Sequence, residues 1–503
     1  MTVCLAAIFT VSCGDSFLTV TPKDVLTDAN FFVTESDAQS ALIGAYAGLQ
    51  SEATYGGVVP SANLDWTMSG DLYEQDQNTP RVQLEMFDLP ATNTYISQMY
   101  QGLYQGVGRA NFVIDGVNKM QNLDANVRSL VIAQAKFLRA IYYYRLVNYF
   151  GGVPLVLKEL NAASKLDIPR SSADDCWKQI ESDLNDAAAA LPVTWTNSSD
   201  IGRATKGAAL GFLVKTYLWQ AKWADAVSAS EKIIDLNVYG LLPNFRNVFL
   251  ESNENNKEIV FSTQFSSVNN GIEGTNLDVR SEPRGFPSEF VGRDAWSNFV
   301  PQISWINAFE RDASGKIKDG RYWGAIIGPG EHHQDMPDFI LPATVPNQGT
   351  KTGYIVSKYW QKASPVAAGV NFPVLRYAEV LLNYAEALNE VGRSEDAMKQ
   401  VNLIRKRAGL DPKPLNLSKD QVLDAVFYEA RMGFIWEPYG AFSMLNQRGR
   451  VIDFIKKNRV DFSKIGVAGK PWLQTNPILL PIPLDAWNVN KSLVQNPGYP
   501  PFK

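Results

Sequence analysis

The sequence predicts a mostly α-helical protein, a tetratricopeptide-like superhelix of about four helical pairs with a loop-rich insertion containing a few short strands. Residues 202–240 and 371–407 each carry two apolar stripes at three- and four-residue spacing, separated by a short break. That pattern is typical of a helical hairpin. Because one hairpin cannot bury its own apolar face, further pairs should stack on these two. The residues between the hairpins lack this period and are expected to form the insertion.

The hairpin at 202–240 has the clearest pattern. Its first stripe comprises Ala208, Ala209, Phe212, Leu213, Thr216 and Tyr217, and its second comprises Trp223, Ala226, Val227, Ala229, Ile233 and Ile234. Gly207 and Gly211 lie among the positions of the first stripe. Because the distance between packed helices depends on the side chains at their contact, we expect the second helix to approach these small residues closely.

Four more helices are predicted before this hairpin, at residues 36–50, 95–120, 126–150 and 174–191. Ser36 is the expected N-cap of the first of them. Gly151 and Gly152 end the third, because glycine readily adopts the conformation that closes a helix. Together with the two hairpins these helices form about four pairs, so the helical scaffold is predicted to span 36–241 and 371–410.

Two irregular segments interrupt the scaffold. Residues 55–94, the first excursion, are rich in Gly, Pro, Asn and Asp and show no helical period. Residues 242–370, the second excursion, are punctuated by Gly and Pro, with a strand predicted at 258–265 and a helix at 302–311. Long loops in compact proteins are often functional, so both excursions are expected on the ligand side. Residues 421–503 should wrap the end of the molecule, with helices at 421–440 and 451–457.

Composition and the absence of catalytic sequence motifs argue against several classes of function. The 503 residues include 47 Lys and Arg against 52 Asp and Glu, a net charge of -5, and the basic residues are scattered. This distribution argues against nucleic acid as a partner. We find no nucleophile elbow, phosphate loop or dinucleotide fingerprint, and therefore predict neither an enzyme nor a cofactor. His332 and His333 are adjacent and lack the spacing of a metal site, so no metal is predicted.

The N-terminus has the composition of an export signal. Residues 1–12 are apolar and uncharged, and they are too few to span a bilayer. Small residues precede Cys13, and the polar residues Gly14, Asp15 and Ser16 follow it. We therefore interpret 1–12 as the remnant of an export signal and Cys13 as a lipidated cysteine.

Five groups of residues resemble motifs of the SusD/RagB family and occur in the family's order. They are AQAKFLRA at 133–140 with YFGGVPLV at 149–156; IPR at 168–170 with Asp183, Leu184, Leu191 and Pro192; GRATKGAA at 202–209; LRYAEV at 375–380 with NYAEA at 383–387; and LPIP at 480–483 with QNPGY at 495–499. The sequence departs from the family pattern at 429–440, so no role is carried over to that segment. The resemblance spans residues 13–499.

The resemblance implies a single SusD-like domain over residues 13–503. It also implies a lipoprotein at the cell surface, anchored in the outer membrane by lipid on Cys13. Such a protein captures an oligosaccharide or polysaccharide and passes it to a SusC-like TonB-dependent transporter. The expected partners are therefore a glycan, that transporter and the outer membrane.

Sugars present an apolar face and a rim of hydroxyls, which proteins hold with aromatic rings, amides, carboxylates and Arg. Both excursions contain such residues. The candidate glycan-binding residues are Asp65, Trp66, Asp71, Tyr73 and Arg81, with Glu74 beside them, in the first excursion, and Trp296, Trp305, Tyr322 and Trp323 in the second.

Two other functions stay open at this point. The helical repeats are also compatible with a surface adaptor that binds a peptide or protein, in which case the aromatic residues would be core. A surface glycosidase is the third hypothesis, because acidic residues are frequent enough to form a carboxylate pair, although the pattern singles out no two of them.

Overall fold

The structure, a computed structural model, describes residues 31–56, 61–75, 77–160, 164, 166–268, 274–286, 295–343, 350–361, 368–438, 440–459 and 462–502. Residues 1–12 and Cys13 lie outside the described residues. The described part forms 18 α-helices and six short β-strands. The helices are α1 Glu35–Ala47, α2 Ser61–Ser69, α3 Thr79–Glu85, α4 Thr94–Lys119, α5 Ala125–Phe150, α6 Ala173–Ala190, α7 Lys206–Trp219, α8 Trp223–Asp235, α9 Leu277–Ser281, α10 Ile303–Ile306, α11 Gly320–Ala325, α12 Tyr377–Glu390, α13 Ser394–Arg407, α14 Lys419–Gly433, α15 Ala441–Gln447, α16 Val451–Asn458, α17 Phe462–Ile465 and α18 Leu484–Val489. The strands are β1 Leu72–Glu74, β2 Ile259–Thr263, β3 Phe299–Pro301, β4 Ile326–Ile327, β5 Ile355–Val356 and β6 Phe372–Arg376.

The helical scaffold is confirmed. The eight predicted helices are α1, α4, α5, α6, α7, α8, α12 and α13. They pack as neighbours in chain order from α4 to α8, then α8 against α12 and α12 against α13, while α1 lies against α4 and α5. Each helix thus buries its apolar face against the next, as the repeat pattern requires.

The first helix begins earlier than predicted. Its N-cap is Thr34 and not Ser36, because the Thr34 hydroxyl accepts a hydrogen bond from the Asp37 N–H at 3.3 Å. The Asp37 carboxylate accepts one from the Thr34 N–H at 2.6 Å, which completes a capping box. At the other predicted boundary, α5 ends at Phe150 and is capped by Gly151, whose φ of 71° is readily adopted by glycine.

Helix α5 is the centre of the scaffold, and its C-terminal half is buried on every side. Tyr142, fully buried there, presses its ring against Gly106 of α4. A Cβ atom on Gly106 would lie 2.4 Å from the Cζ atom of that ring, so only glycine permits this approach. The size of Tyr142 and the absence of a side chain at 106 therefore set the spacing of α4 and α5.

The small residues of α7 admit different neighbours from those expected. A Cβ atom on Gly211 would lie 2.3 Å from the Cδ2 atom of Leu375 in β6, and one on Gly207 would lie 2.3 Å from the Tyr239 hydroxyl. They therefore make room for a strand and a ring, and not chiefly for α8. Strand β6 pairs antiparallel with β2, which lies within the strand predicted at 258–265.

The first excursion is more regular than predicted, since it contains α2, β1 and α3. Helix α2 shows no apolar stripe because polar positions such as Asp65, Thr67 and Ser69 are buried along with Leu64 and Trp66. Over residues 64–69 every side chain is buried, so there is no two-sided pattern to detect. In the second excursion, the helix predicted at 302–311 is only the single turn of α10.

The C-terminal region packs against the first excursion, because α15 and α16 both contact α2. The helix predicted at 421–440 is α14, which ends at Gly433, and that predicted at 451–457 is α16. No helix of the described residues is both long and apolar enough to cross a membrane. The division into a signal remnant at 1–12 and one domain at 13–503 stays a prediction.

Candidate functional site

Strands β1 and β3 join the two excursions. They pair antiparallel with Tyr73 opposite Val300. The pairing continues past both ends, because Gln75 N–H donates to the Asn298 carbonyl at 2.9 Å and Gln302 N–H to the Asp71 carbonyl at 2.9 Å. A strand of the first excursion therefore runs beside a strand of the second.

Tyr73 projects from β1 and is half-buried, whereas its neighbours Leu72 and Glu74 are buried. The Lys351 ammonium lies 5.0 Å from the centre of the Tyr73 ring. Lys351 is fixed at its backbone, where its N–H donates to the Gln75 side-chain oxygen at 2.8 Å. The Gln77 amide donates to the Tyr73 hydroxyl at 3.2 Å. Tyr73 therefore offers a ring with a cation and an amide beside it.

Trp296, just before β3, is also half-buried. Its backbone N–H donates to the Val279 carbonyl at 2.6 Å. The Arg280 guanidinium carbon lies 4.7 Å from the ring centre. Arg280 in turn donates to the Glu52 carboxylate at 2.9 Å and to the Asn298 side-chain oxygen at 3.0 Å. The guanidinium is thereby held against the indole.

Trp323 in α11 is the most exposed of the candidate aromatic residues, at 38%. Its ring meets that of Tyr322 edge-on, with centres 5.0 Å apart. The Lys316 ammonium lies 5.7 Å from the Trp323 ring centre. Trp323 thus presents a ring to solvent with a cation near it.

The segment 350–356 connects Tyr73 with α11. After Lys351 it reaches half-buried Tyr354, and then β5, which pairs with β4 and lies against β3. At Gly328 the space for a Cβ atom is bounded by the Tyr322 hydroxyl at 2.7 Å and by the Tyr354 ring at 2.9 Å. We call the four rings Tyr73, Trp296, Trp323 and Tyr354 the aromatic surface.

Three predicted contact residues belong to the core instead, which corrects the sequence-based assignment. Trp66 and Trp305 are 0% exposed and Tyr322 is 1% exposed. The Trp66 indole donates to the Glu437 carbonyl at 2.9 Å, and the Trp305 indole donates to the Arg431 carbonyl at 3.3 Å. The Tyr322 hydroxyl donates to the Glu331 carboxylate at 2.8 Å. Enclosed and hydrogen-bonded in this way, these rings have no face to offer a ligand.

The charged candidates of the first excursion are also engaged internally. Asp65 is buried and accepts hydrogen bonds from Tyr149 and Ser443; burial raises its pKa to about 6. Burial likewise raises the pKa of Asp71, although its ion pair with Arg431 at 2.6 Å opposes the shift. The side chain of Arg81, 11% exposed, pairs at 3.1 Å with Glu74 of β1. The charged groups of these residues are therefore engaged by partners within the protein.

The segment to which no role was assigned, 429–440, anchors both excursions. Its ion pairs are Glu429 with Arg321 and Arg405, Arg431 with Asp71, and Glu437 with Lys358 and Arg376. All of these side chains are at most 7% exposed. The segment therefore holds the second excursion in position.

Sequence reasoning missed Lys351, Arg280 and Tyr354 as parts of the site. Lys351 and Tyr354 lie in the Gly-containing stretch KTGY at 351–354, and the pairing of an exposed cation with an aromatic residue there was a usable signal. Arg280 gives no such signal, because its position over Trp296 depends on the packing of α9.

The two histidines differ in environment. His333 is buried, with Nε2 2.8 Å from the Trp360 carbonyl and Nδ1 accepting from the Asp335 N–H at 3.1 Å. Burial and the nearby Arg246 guanidinium lower its pKa to about 4. His332 is more exposed, with Nδ1 2.7 Å from the Pro337 carbonyl. Among the described residues no group of three or more His, Cys, Asp or Glu is arranged to hold a metal ion.

Two family models match the chain. The model of the SusD family matches residues 341–499, and a model described as starch-binding associating with outer membrane matches residues 17–218. Together they cover more than half of the chain and include both ends of the scaffold.

Individual relatives agree with these matches. A SusD-like protein P2 from Formosa agariphila is 28% identical, with 97% of each chain aligned. A SusD superfamily protein from Bacteroides vulgatus has a TM-score of 0.79 at 23% identity, over 93% of this chain and 100% of that one. A laminarin-binding SusD-like protein has a TM-score of 0.76 at 23% identity, over 93% and 100%. The likeness to these solved structures shows the fold.

Proposed function

This chain belongs to the SusD family, and on that premise we propose that it binds an oligosaccharide or polysaccharide at the cell surface. We propose further that it passes the glycan to a SusC-like TonB-dependent transporter in the outer membrane. Family membership carries the proposal. One relative of the same fold is named as laminarin-binding, and one matching family model is described as starch-binding and associated with the outer membrane.

The aromatic surface is the proposed binding site. Tyr73, Trp296 and Trp323 remain from the predicted contact residues, and Tyr354 joins them. Stacking on such rings desolvates the apolar face of a sugar, while the exposed Gln77 amide, which donates to the Tyr73 hydroxyl, lies where it could bond sugar hydroxyls. Trp66, Trp305, Tyr322, Asp65, Asp71 and Arg81 are assigned to supporting roles.

Binding is tested by affinity gel electrophoresis and isothermal titration with laminarin, starch, xylan, polygalacturonate and chondroitin sulfate. For any polymer bound, Tyr73→Ala or Trp323→Ala should raise the Kd at least about tenfold, about 1.4 kcal/mol. Trp487→Ala is the matched control, because it removes a half-buried indole of α18 that is not part of the aromatic surface. If both site variants keep the Kd within about twofold of the wild type, the site is elsewhere.

We propose that the protein binds glycan without cleaving it. Relatives are named for binding, and the groups that the described residues place against the exposed rings are cations and an amide. Steady release of reducing ends from any bound polymer would overturn this. Binding of a peptide library with no binding of any polysaccharide would favour the adaptor hypothesis instead.

Lipid attachment at Cys13 is the proposed means of membrane association. In cells, Cys13→Ser should move the protein from the membrane fraction to the soluble fraction and abolish labelling by a fatty-acid analogue. Cys176→Ser is the control. Because Cys176 is buried in the core, this variant should keep the membrane association and the fatty-acid labelling of the wild type. Delivery is tested by copurification with a TonB-dependent transporter encoded beside this gene.

A further inference from the structure

Each of the three most accessible predicted rings has a cation close to it. The ring centres lie 5.0 Å from the Lys351 ammonium at Tyr73, 4.7 Å from the Arg280 guanidinium at Trp296 and 5.7 Å from the Lys316 ammonium at Trp323. A cation near an exposed ring is attracted by the electrons of the ring face. A sugar that stacks on such a ring must displace the cation or leave it at the edge of the sugar.

The three cations differ in how far they are neutralised. Arg280 is paired with Glu52, which is 43% exposed on its side chain. Lys316 has the Asp312 carboxylate nearby. The Lys316 backbone N–H donates a hydrogen bond to this carboxylate at 3.0 Å. Lys351 is exposed, and within the described part of the chain its ammonium makes no ion pair. The preceding residues 344–349, TVPNQG, carry no charge.

Lys351 is also preorganised. Its backbone N–H is bound to Gln75, which itself donates to the Ser297 hydroxyl at 3.3 Å, so the base of the side chain is fixed to the β1–β3 pair. Only the aliphatic stem has to move for the ammonium to leave the ring face. A stacked sugar would then have this ammonium beside its ring substituents.

We propose that the glycan is anionic, bearing uronate carboxylates or sulfate esters, and that Lys351 is the principal specificity-determining residue for the charge. This inference rests on the proposed function and deepens it. A neutral sugar that stacks on Tyr73 displaces the Lys351 ammonium without giving it a new partner. An anionic sugar stacks on the ring and pairs with the displaced ammonium. Because the whole chain has a net charge of -5, attraction of an anion has to come from such local cations.

Matched polymers test the class of ligand. The protein is titrated with polygalacturonate and with the same polymer after reduction of its carboxylates, and with chondroitin sulfate and its desulfated form. We expect at least one acidic polymer to bind, and its neutral counterpart to bind at least about fivefold more weakly. Binding of the acidic form should weaken as NaCl rises from about 0.05 to 0.5 M, because salt screens exposed charges. The two pairs distinguish carboxylate from sulfate.

Variants test the residue. Lys351→Gln should weaken binding of the acidic polymer about three- to tenfold and leave any neutral binding within about twofold, whereas Lys351→Arg should retain the affinity. Lys399→Gln on α13 is the matched control, since Lys399 is an exposed lysine already paired with Asp396. Circular dichroism of each variant verifies that it is folded.

The outcomes separate this inference from the proposed function. Binding of neutral polymers only, abolished by Tyr73→Ala, would overturn the inference and leave glycan binding in place. Equal loss in Lys351→Gln and Lys399→Gln would overturn the role of Lys351. Failure of all the neutral and acidic polymers would contradict the proposed function, and the inference would fall with it.

Discussion

The helical scaffold and the second excursion bury side chains of different kinds. In α5, the continuously buried stretch 137–150 is enclosed mainly by aliphatic and aromatic contacts with α4 and α6. In the second excursion the buried side chains include Arg246, Arg321 and Lys358, each at most 2% exposed. Both regions bury charge: Arg139 of α5 pairs with Asp183 of α6 at 2.8 Å, whereas Arg246 and Lys358 of the second excursion also bond several main-chain carbonyls.

The reason lies in the backbone. A helix pairs its own N–H and C=O groups, so the side chains around it are free to be apolar. An irregular segment leaves carbonyls that need donors from elsewhere. Arg246 supplies hydrogen bonds to the carbonyls of Ser357, Lys358 and Trp360 at 2.6–2.9 Å, and Lys358 supplies them to Gly433 and Ile435. Buried cations therefore replace the regular hydrogen-bond ladder that the excursion lacks.

Among the tests of this comparison between the scaffold and the second excursion, the largest effect is expected at Arg246. Arg246→Met should lower the free energy of unfolding by about 3–5 kcal/mol, because it leaves the Asp335 carboxylate and three buried carbonyls without this donor. Urea denaturation followed by circular dichroism measures the change. Arg393→Met is the control, since Arg393 pairs with Glu231 on the exposed surface, with 46% of its side chain accessible, and no measurable change is expected. Equal stability of the two variants would contradict the role given to buried cations.

Acid should weaken the second excursion through His333. Its pKa is lowered to about 4 in the folded protein, against 6.5 for a free histidine, so the unfolded chain takes up the proton first. Stability contributed by neutral His333 is therefore complete above about pH 6.5 and is lost as the pH falls toward 4, by about 2–3 kcal/mol. The difference in unfolding free energy between His333→Asn and the wild type should shrink by that amount over this range.

Asp65, in the first excursion, should change the pH dependence of stability in the direction opposite to that of His333. Its folded pKa is raised to about 6 from 3.8, so the folded protein holds the proton more tightly and the contribution of Asp65 to stability falls as the pH rises from 4 to 6. Asp65→Asn should remove this loss. If His333→Asn and Asp65→Asn change the pH dependence of the unfolding free energy in the same direction, the dependence does not come from these two groups.

The same contrast explains what the sequence could predict. The eight scaffold helices follow from apolar periodicity, which is a local property, and they were located to within a few residues. Burial of the candidate tryptophans was not predictable in this way. Trp66 and Trp323 both lie in excursions, but the indole of Trp66 meets the carbonyl of Glu437, far away in the sequence, while Trp323 meets solvent. Which ring is covered depends on where the C-terminal segment packs, and no local pattern records that.

Within the scaffold the smallest effects separate close packing from helix propensity. Gly106 and Gly108 both lie in α4, but a Cβ atom at 106 would be 2.4 Å from the Tyr142 ring, whereas nothing lies within 4 Å of one at 108. Gly106→Ala should therefore destabilise the protein by about 1–2 kcal/mol, because overpacking outweighs the gain in helix propensity. Gly108→Ala should instead stabilise it by about 0.5–1 kcal/mol. Opposite signs in urea denaturation would show that apolar contact at Tyr142, not backbone preference, sets the spacing of α4 and α5; the same sign for both would refute it.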